Sequence, residues 1–344
     1  MTAYSQIFDA LGLRDWCEAG STGGPMTMAQ LLARAKAGTP DETPLWQLPF
    51  PSLDVLNESC PALWRTRDLT AAVESLFMGM KNGMKLILDP LTQPLSWALE
   101  GALKMADVLP WFVTMPLLLA VVARVSRNRG LTAFVAVAMA WLALIDHYDA
   151  ALQTFAIILV STCISVLLGL PLGVLMSRSD RAQRVGLPLL DLLQTLPSFV
   201  YLIPLIFLFS VTEPKLYGIA IILYAIVPII RLTDLGIRLV DPEVIEAADA
   251  FGMTRGQKLF KVQLPLALPN IMAGLNQTIM MSLSMVVIAS LVSAPGLGVL
   301  VLRGINNLEL GVGIVAGLGI VLLAIILDRV TKSALARIET GERK

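Results

Sequence analysis

Residues 241–265 read DPEVIEAADAFGMTRGQKLFKVQLP, and this polar stretch decides the fold because long apolar segments lie on both sides of it. Asp241 and Pro242 predict the start of a helix, since aspartate is a favoured capping residue and proline fits the first helical position. The helix is predicted to stop at Gly252, because glycine is typical of the position just after a helix end. We call residues 241–265 the elbow.

A second short helix is predicted to follow the bend at the glycine. Thr254 and Gln257 match a capping box, and this helix is predicted to run to about Gln263 and to end before Pro265. The first helix carries an apolar stripe at positions i, i+3, i+4 and i+7, made of Val244, Ala247, Ala248 and Phe251. Such a stripe fits a partner's groove, or it rests on the chain's own helices or on lipid headgroups.

The composition outside the elbow is that of a membrane protein. Of the 344 residues, 56% are hydrophobic and 15% are charged, whereas soluble domains average about 45–50% and about 25%. The net charge is zero, which argues against a nucleic-acid partner because binding to phosphates needs clustered cations. The sequence therefore predicts an all-α fold, a polytopic transmembrane helical bundle.

Seven apolar segments predict membrane spans, since a crossing takes roughly 20 mostly apolar residues. They lie at about 107–124, 131–147, 151–177, 187–211, 216–232, 268–302 and 311–331. The sixth is longer than one crossing needs, so a break is predicted at SAPGLG, residues 293–298. Glycines four residues apart predict close helix packing in lipid, at Gly169 with Gly173 and at Gly313 with Gly317.

The first hundred residues differ from the rest and form an N-terminal leader. Residues 1–65 contain many helix-breaking prolines, and residues 68–104 are predicted to alternate helical and broken stretches, with lysines interrupting the apolar runs. These helices lie on a membrane surface or form a small packed cap, and the pattern leaves both open. Cys17 and Cys60 can pair if the leader lies outside the cytoplasm and their Cα atoms come within about 7 Å.

The charges of the loops alternate and predict the orientation. Lys and Arg in short loops favour the cytoplasmic side, and cations follow the first, third, fifth and seventh spans, among them Arg124, Arg127, Arg129, Arg178, Arg181, Arg184, Arg231, Arg238, Arg329 and Lys332. The N-terminus is therefore predicted outside, with the C-terminus and the 233–267 loop in the cytoplasm. The predicted organisation is a leader at 1–106, two peripheral spans at 107–149, a core at 150–332 that includes the elbow, and a tail at 333–344.

Polar residues within the predicted spans are the candidates for a translocation path, because such groups are costly in lipid. Gln194 and Ser198 are four residues apart and are predicted to share a helix face, and Asn276 and Gln277 lie inside the sixth segment. These four residues line the route or form hydrogen bonds between helices. Two aromatic residues beside Ser198 could contact a methylated ammonium ion in transit, namely Phe199 and Tyr201.

Three parts of the elbow resemble the EAA motif of bacterial ABC import permeases. They are Glu246-Ala247-Ala248, then Gly252, then Val262-Gln263-Leu264-Pro265. Residues 193–204, 260–269 and 276–290 are in turn similar to the glycine betaine/proline betaine permeases, and the resemblance covers roughly 150–332.

This resemblance implies a type I ABC importer permease fold in a bacterial cytoplasmic (inner) membrane. It implies alternating-access transport of a compatible solute such as glycine betaine, with proline betaine, choline or trimethylamine N-oxide as close options. The chain would form a homodimer and work with two copies of a separate ATPase, which hold ATP and Mg, and with an extracytoplasmic substrate-binding protein. The resemblance assigns coupling to the ATPase to Glu246, Ala247, Ala248, Gly252, Leu264 and Pro265.

The residues themselves support the need for a motor subunit. The sequence has no phosphate-binding loop pattern, so neither ATP hydrolysis nor a cofactor is expected in this chain. The alternative is a self-contained secondary transporter for methylated amines, which would need internal repeats and ionisable residues inside the membrane. Neither feature is evident in the sequence, since the middles of the predicted spans are nearly free of charges.

Overall fold

The computed structural model describes residues 4, 8, 10–19 and 50–342, and the regular secondary structure of these ranges is entirely helical. Short 3₁₀ or π turns join several of the α-helices. In chain order the α-helices are α1 Arg14–Ala19, α2 Leu53–Ser59, α3 Thr66–Val108, α4 Trp111–Ser126, α5 Arg129–Leu144, α6 Tyr148–Ser177, α7 Asp180–Thr195, α8 Leu202–Leu208, α9 Pro214–Arg238, α10 Pro242–Ala250, α11 Arg255–Lys258, α12 Leu264–Ala289, α13 Leu297–Asn306 and α14 Leu310–Glu342.

Contacts divide the chain into two units, residues 1–84 and 85–344. In the first unit Cys17 and Cys60 form a disulfide with their Cα atoms 4.7 Å apart, so the pairing that the sequence left open is present. Beside it, the Arg65 side chain donates a hydrogen bond from Nε to Asn57 Oδ1 at 2.8 Å. Most of the proline-rich part of the leader lies outside the described residues.

Helix α3 corrects the prediction of broken stretches at 68–104. It is one helix of 43 residues that continues through Pro90 and Pro94. The lysines interrupt the apolar runs but not the helix itself, because lysine has a high helix propensity. The C-terminal part of α3 packs on α9, where a Cβ placed on Gly218 would lie 2.6 Å from Leu99 Cδ1. This packing offsets the cost of the two prolines.

Six of the seven predicted spans coincide with helices, or with bent helix pairs, that are long and apolar enough to cross a membrane. Among the described residues, four helices are long and apolar enough to cross a membrane, namely α6, α9, Arg255–Val292 and Leu310–Ala334. Two pairs of helices pass the same test only when each pair is counted as one span with a sharp bend. One pair is α3 with α4, and the other is α7 with Ser198–Leu208. Counting both pairs gives up to six spans. All seven predicted segments fall on helices. However, α5, the predicted second span, has only 16 residues.

The core of the bundle forms where α9 packs against α6 and α12. A Cβ on Gly169 would overlap Ile229, and one on Gly173 would lie 2.6 Å from Thr233 Cβ. The close packing predicted for this glycine pair is therefore confirmed. Of the second predicted pair, Gly313 packs closely, because a Cβ on Gly304 of α13 would lie 2.5 Å from its Cα. No atom lies within 4 Å of a Cβ placed on Gly317, so this glycine makes no such approach within the described chain.

The predicted break in the sixth span is confirmed. Ser293 and Gly296 have left-handed φ angles of 71° and 114°, and they separate α12 and its 3₁₀ extension from α13. The N–H of Leu297 donates to Thr154 Oγ1 of α6 at 2.8 Å. A Cβ on Gly296 would collide with the same hydroxyl, so the break requires a glycine there.

Candidate functional site

The first half of the elbow is the capped helix that the sequence predicts. The Asp241 side chain accepts a hydrogen bond from the N–H of Glu243 at 2.9 Å. At the other end Gly252 has a φ of 73°. The N–H of Met253 donates to the carbonyl of Ala248 at 3.2 Å, and the N–H of Gly252 donates to that of Asp249 at 2.9 Å. These two bonds form a Schellman motif, which ends α10 at the glycine.

The capping box of the second half is confirmed, but its end is not where the sequence predicts. Thr254 and Gln257 exchange both hydrogen bonds of the box, at 2.9 and 3.4 Å. The helix does not end before Pro265. It passes through a π turn at Leu259–Gln263 and continues as α12. Pro265 lies in the first turn of α12, where its missing N–H is tolerated. The π turn before it accommodates the local change in the backbone hydrogen-bond pattern.

An ion pair across the bend joins the two halves of the elbow. The Lys258 Nζ lies 2.6 and 2.8 Å from the two carboxylate oxygens of Asp249. The Asp249 side chain is 55% exposed, so this pair contributes at most about 1 kcal/mol. Together with the Schellman motif, it connects α10 to α11 across the bend.

Most of the predicted coupling residues are exposed on the surface of the elbow. Glu246, Ala247, Gly252 and Pro265 are exposed, whereas Leu264 is half-buried. The Glu246 side chain has no hydrogen bond or ion pair with the residues that the structure describes. The apolar stripe is divided, since Ala248 is buried while Val244 is 39% and Phe251 is 84% exposed.

A polar cluster fastens the base of the elbow to two other helices, and sequence reasoning missed it. Arg238, in the last turn of α9, donates to Asp180 Oδ1 at 2.8 Å, to Asp234 Oδ1 at 3.0 Å and to the carbonyl of Met176 at 3.0 Å. Asp234 is 3% exposed and also accepts from Gln183 Nε2 at 2.7 Å. We call these five residues the stem cluster. It joins the ends of α6, α7 and α9.

A second ion pair, between Arg231 and Asp191, also links α9 to α7. Within the stem cluster, only the i, i+4 spacing of Asp234 and Arg238 was visible in the sequence. The remaining partners are more than fifty residues away along the chain, so a local pattern could not have found them.

The path candidates Gln194 and Ser198 do not share a helix face, which corrects the prediction. Gln194 is in α7, and Ser198 begins a 3₁₀ turn after extended backbone at Leu196 and Pro197. The two helical segments meet at an angle of 102°. The cause is Pro197, because the residue before a proline is pushed from the helical to the extended region.

The other path candidates lie on two neighbouring elements. The 3₁₀ turn Ser198–Tyr201 contacts α12, the helix that carries Asn276 and Gln277. Within this turn Phe199 is 56% exposed and Tyr201 is buried. The Tyr201 hydroxyl and Asn276 Oδ1 are buried and have no hydrogen-bond partner in the described part of the chain. Buried polar atoms are usually paired, so these two atoms are candidates for contact with water or solute.

Comparison with known proteins places this architecture in a family. The family model described as binding-protein-dependent transport system inner membrane component matches residues 165–340, which include the elbow and the stem cluster. The glycine betaine transport system permease protein OpuAB of Bacillus subtilis (strain 168) is 39% identical over 267 residues, covering 77% of this chain and 89% of OpuAB.

Two further similarities are informative. The glycine betaine/proline betaine transport system permease protein ProW of Escherichia coli (strain K12) is 50% identical over 190 residues, 55% of this chain and 53% of ProW. An inward-facing structure of the MetNI methionine ABC transporter aligns with a TM-score of 0.51 at 21% identity, covering 58% of this chain and 97% of the matched one. That likeness concerns the fold alone. The chain is therefore a multi-pass inner-membrane permease that belongs to the family of binding-protein-dependent transport system inner membrane components.

Proposed function

We propose that this chain is the permease subunit of an ABC importer for a methylated-amine compatible solute. Glycine betaine is the first candidate, and proline betaine, choline and trimethylamine N-oxide are close options. The observation that carries the proposal is the capped, exposed elbow inside the matched region. The identity to OpuAB and ProW, which are named for betaine transport, supports the substrate class.

The elbow is the route by which energy enters the chain. We place it in a cleft of a separate ATPase subunit, which binds ATP and Mg, with Glu246, Ala247 and Phe251 in the contact. Its exposure supports this role, and so do its hydrogen-bonded helix ends, because an unstructured loop would transmit movement of the ATPase poorly. The stem cluster then carries movement of the elbow into α6, α7 and α9 together, through Arg238 and Asp234.

One elbow per chain, engaging one ATPase subunit, supports an assembly that contains two permeases. Two copies of the permease line the pore, each seated on one of two ATPase subunits, and a substrate-binding protein delivers the solute from outside. The N-terminus is outside, and the elbow and C-terminus are in the cytoplasm, which the loop charges support. The disulfide between Cys17 and Cys60 also supports an outside leader, because disulfides persist in oxidising compartments.

The path runs between the 3₁₀ turn at Ser198 and α12 and opens to alternate sides of the membrane. The unpaired polar atoms of Tyr201 and Asn276 support this placement. Gln277, Gln194 and Phe199 contribute further contacts along the route. Binding there is weak, because the binding protein supplies the high-affinity recognition.

The test is reconstitution of the permease with its ATPase and binding protein in proteoliposomes. ATP-dependent uptake of radiolabelled glycine betaine is measured for the wild type and for Glu246→Lys. We expect Glu246→Lys to lose uptake while the bundle stays folded, because an exposed residue contributes little to packing. Glu243→Lys is the matched control, since it makes the same charge change in the same helix, and it should retain most of the uptake.

Two results would contradict the proposal. Equal losses in Glu246→Lys and Glu243→Lys would mean that helix charge, and not docking, explains the effect. Transport by the permease alone, on an ion gradient and without ATP, would favour a secondary transporter.

A further inference from the structure

A lysine lies almost fully buried in the first turn of α9. Lys215 is 5% exposed, and its Nζ donates a hydrogen bond to Asp89 Oδ1 of α3 at 2.7 Å. The same Nζ lies 2.8 Å from Glu213 Oε2, in an ion pair that is not a hydrogen bond. It also lies 5.1 Å from the centre of the Phe209 ring, within the range of a cation–π contact. Lysines are seldom buried unless they are paired, and we call Asp89, Phe209, Glu213 and Lys215 the lysine clamp.

Close packing joins the same two helices beside the lysine clamp. Gly218 is three positions after Lys215 and therefore shares its face of α9. A Cβ placed on Gly218 would lie 2.6 Å from Leu99 Cδ1 and 3.2 Å from Leu95 Cδ2. Both leucines belong to α3 and are buried. The beginning of α9 is thus held on α3 by charge and by van der Waals contact.

The loop at residues 209–213 connects the lysine clamp to the elements that carry the path candidates. Two residues of the clamp begin and end this loop. Between them, the carbonyl of Val211 accepts a hydrogen bond from the hydroxyl of Ser293, at the break after α12. The loop follows α8, which has only seven residues and begins directly after the 3₁₀ turn Ser198–Tyr201. A shift of the loop would therefore reach both elements that carry the path candidates.

The lysine clamp and the stem cluster hold opposite ends of α9. Lys215 lies in the first turn of this helix and Arg238 in the last turn. At 1.5 Å per residue, the two positions are about 35 Å apart along the helix axis. Coupling between distant sites is carried by helices and by networks of charges and hydrogen bonds that connect them. The clamp is such a network at the end of α9 that lies far from the elbow.

We propose that Lys215 is a positioning residue for transport. It keeps α3, the start of α9 and the loop at 209–213 together as one body, so that movement from the elbow reaches the path elements on both sides of the loop. This inference rests on the proposed function, because that function supplies the movement. Without the lysine, α9 moves and the loop does not follow, so ATP hydrolysis continues with little uptake. A lysine that only stabilised the fold would affect hydrolysis and uptake equally.

The test compares Lys215→Met with Lys215→Arg in the complete transporter, reconstituted in proteoliposomes. The quantity measured is the ratio of glycine betaine uptake to ATP hydrolysis. Methionine removes the charge but fills a similar space. The carboxylates of Asp89 and Glu213 stay hydrated in this variant, since their side chains are 33% and 34% exposed, and the fold is therefore retained. Arginine keeps the positive charge and serves as the conservative variant.

The matched control is Lys332→Met, which removes a lysine–aspartate ion pair of 2.9 Å in α14, where the lysine is 62% exposed. We expect Lys215→Met to lower the ratio at least about fivefold, the lower end for coupling between distant sites. Lys215→Arg and Lys332→Met should keep a ratio close to that of the wild type.

Hydrogen–deuterium exchange of residues 209–218 gives a second readout that does not depend on the solute. It is measured in the complex with and without a non-hydrolysable ATP analogue. We expect the nucleotide to leave this exchange unchanged in the wild type, and the exchange to be faster in Lys215→Met. Exchange that becomes faster with the nucleotide in the wild type would show that the clamp opens during the cycle, and would overturn the proposal.

Each other result has a defined meaning. An unchanged ratio in Lys215→Met, or uptake and hydrolysis that fall in proportion, would overturn the proposal. A ratio in Lys215→Arg as low as in Lys215→Met would do the same, because charge would not be the cause. If the wild type takes up no glycine betaine, the proposed function fails, and the exchange measurement decides the inference. If Lys215→Met does not assemble, Asp89→Asn is used, which leaves Lys215 paired with Glu213, and an unchanged ratio in it would overturn the proposal.

Discussion

Asp234 is the residue whose removal tests most directly how the base of the elbow is held. It is 3% exposed and accepts hydrogen bonds from Gln183 at 2.7 Å and from Arg238 at 3.0 Å. A hydrogen bond to a charged group contributes about 1.5–3 kcal/mol. In Asp234→Ala both are lost, but Arg238 keeps its bonds to Asp180 and Met176. Water also reaches its side chain, which is 29% exposed. We therefore expect a loss of about 2–4 kcal/mol.

The measurement is thermal unfolding of the purified permease in detergent. A loss of this size lowers the melting temperature by about 4–8 °C, at about 2 °C per kcal/mol. The control is Glu309→Ala, because its ion pair with Arg303 is 3.2 Å long and both side chains are at least 36% exposed. Such a surface pair contributes about 0–1 kcal/mol. Asp234→Asn, which retains one acceptor oxygen, should fall between the wild type and Asp234→Ala.

A melting temperature for Asp234→Ala within the range of Glu309→Ala would refute this reasoning, because the cluster would then contribute no more than a surface pair. A second readout is the ratio of uptake to ATP hydrolysis in the reconstituted complex. If the stem cluster transmits movement of the elbow, this ratio falls in Asp234→Asn even where the protein remains folded. An unchanged ratio would leave the stem cluster a purely structural role.

Two further predictions concern the packing of the bundle and the face of the elbow. Gly173→Leu should destabilise the permease by at least about 1–3 kcal/mol, because its Cβ would lie 2.6 Å from Thr233 Cβ. Gly317→Leu is the control, with no atom within 4 Å of its Cβ, and equal melting temperatures would contradict the packing argument. Phe251→Ala should leave the melting temperature unchanged, since the side chain is 84% exposed, but should reduce ATP-dependent uptake, and full uptake would remove Phe251 from the docking face.

Local features of the elbow could be predicted because their hydrogen bonds join residues only a few positions apart. The cap at Asp241, the bend at Gly252 and the capping box at Thr254 all belong to this class. The break at residues 293–298 was predicted for a related reason, since a glycine and a proline interrupt an apolar run that is too long for one crossing.

Where local rules compete, packing decided the outcome. Pro90 and Pro94 do not end α3, and Pro265 does not end the helix that becomes α12, yet Pro197 does break the fourth span. A proline costs about 3 kcal/mol in a helix interior. Contacts of the surrounding helices, or a π turn, offset that cost at some positions and not at others. The sequence around each proline does not contain this information.

By itself the sequence determined that this chain is a helical membrane protein with a capped elbow, because composition and hydrogen bonds between near neighbours are written in consecutive residues. Only the tertiary structure decided what holds that elbow in place. The stem cluster joins Arg238 to Asp180, 58 positions away. Such distant residues meet only when the helices pack, since the energy of burial and charge pairing depends on position in space.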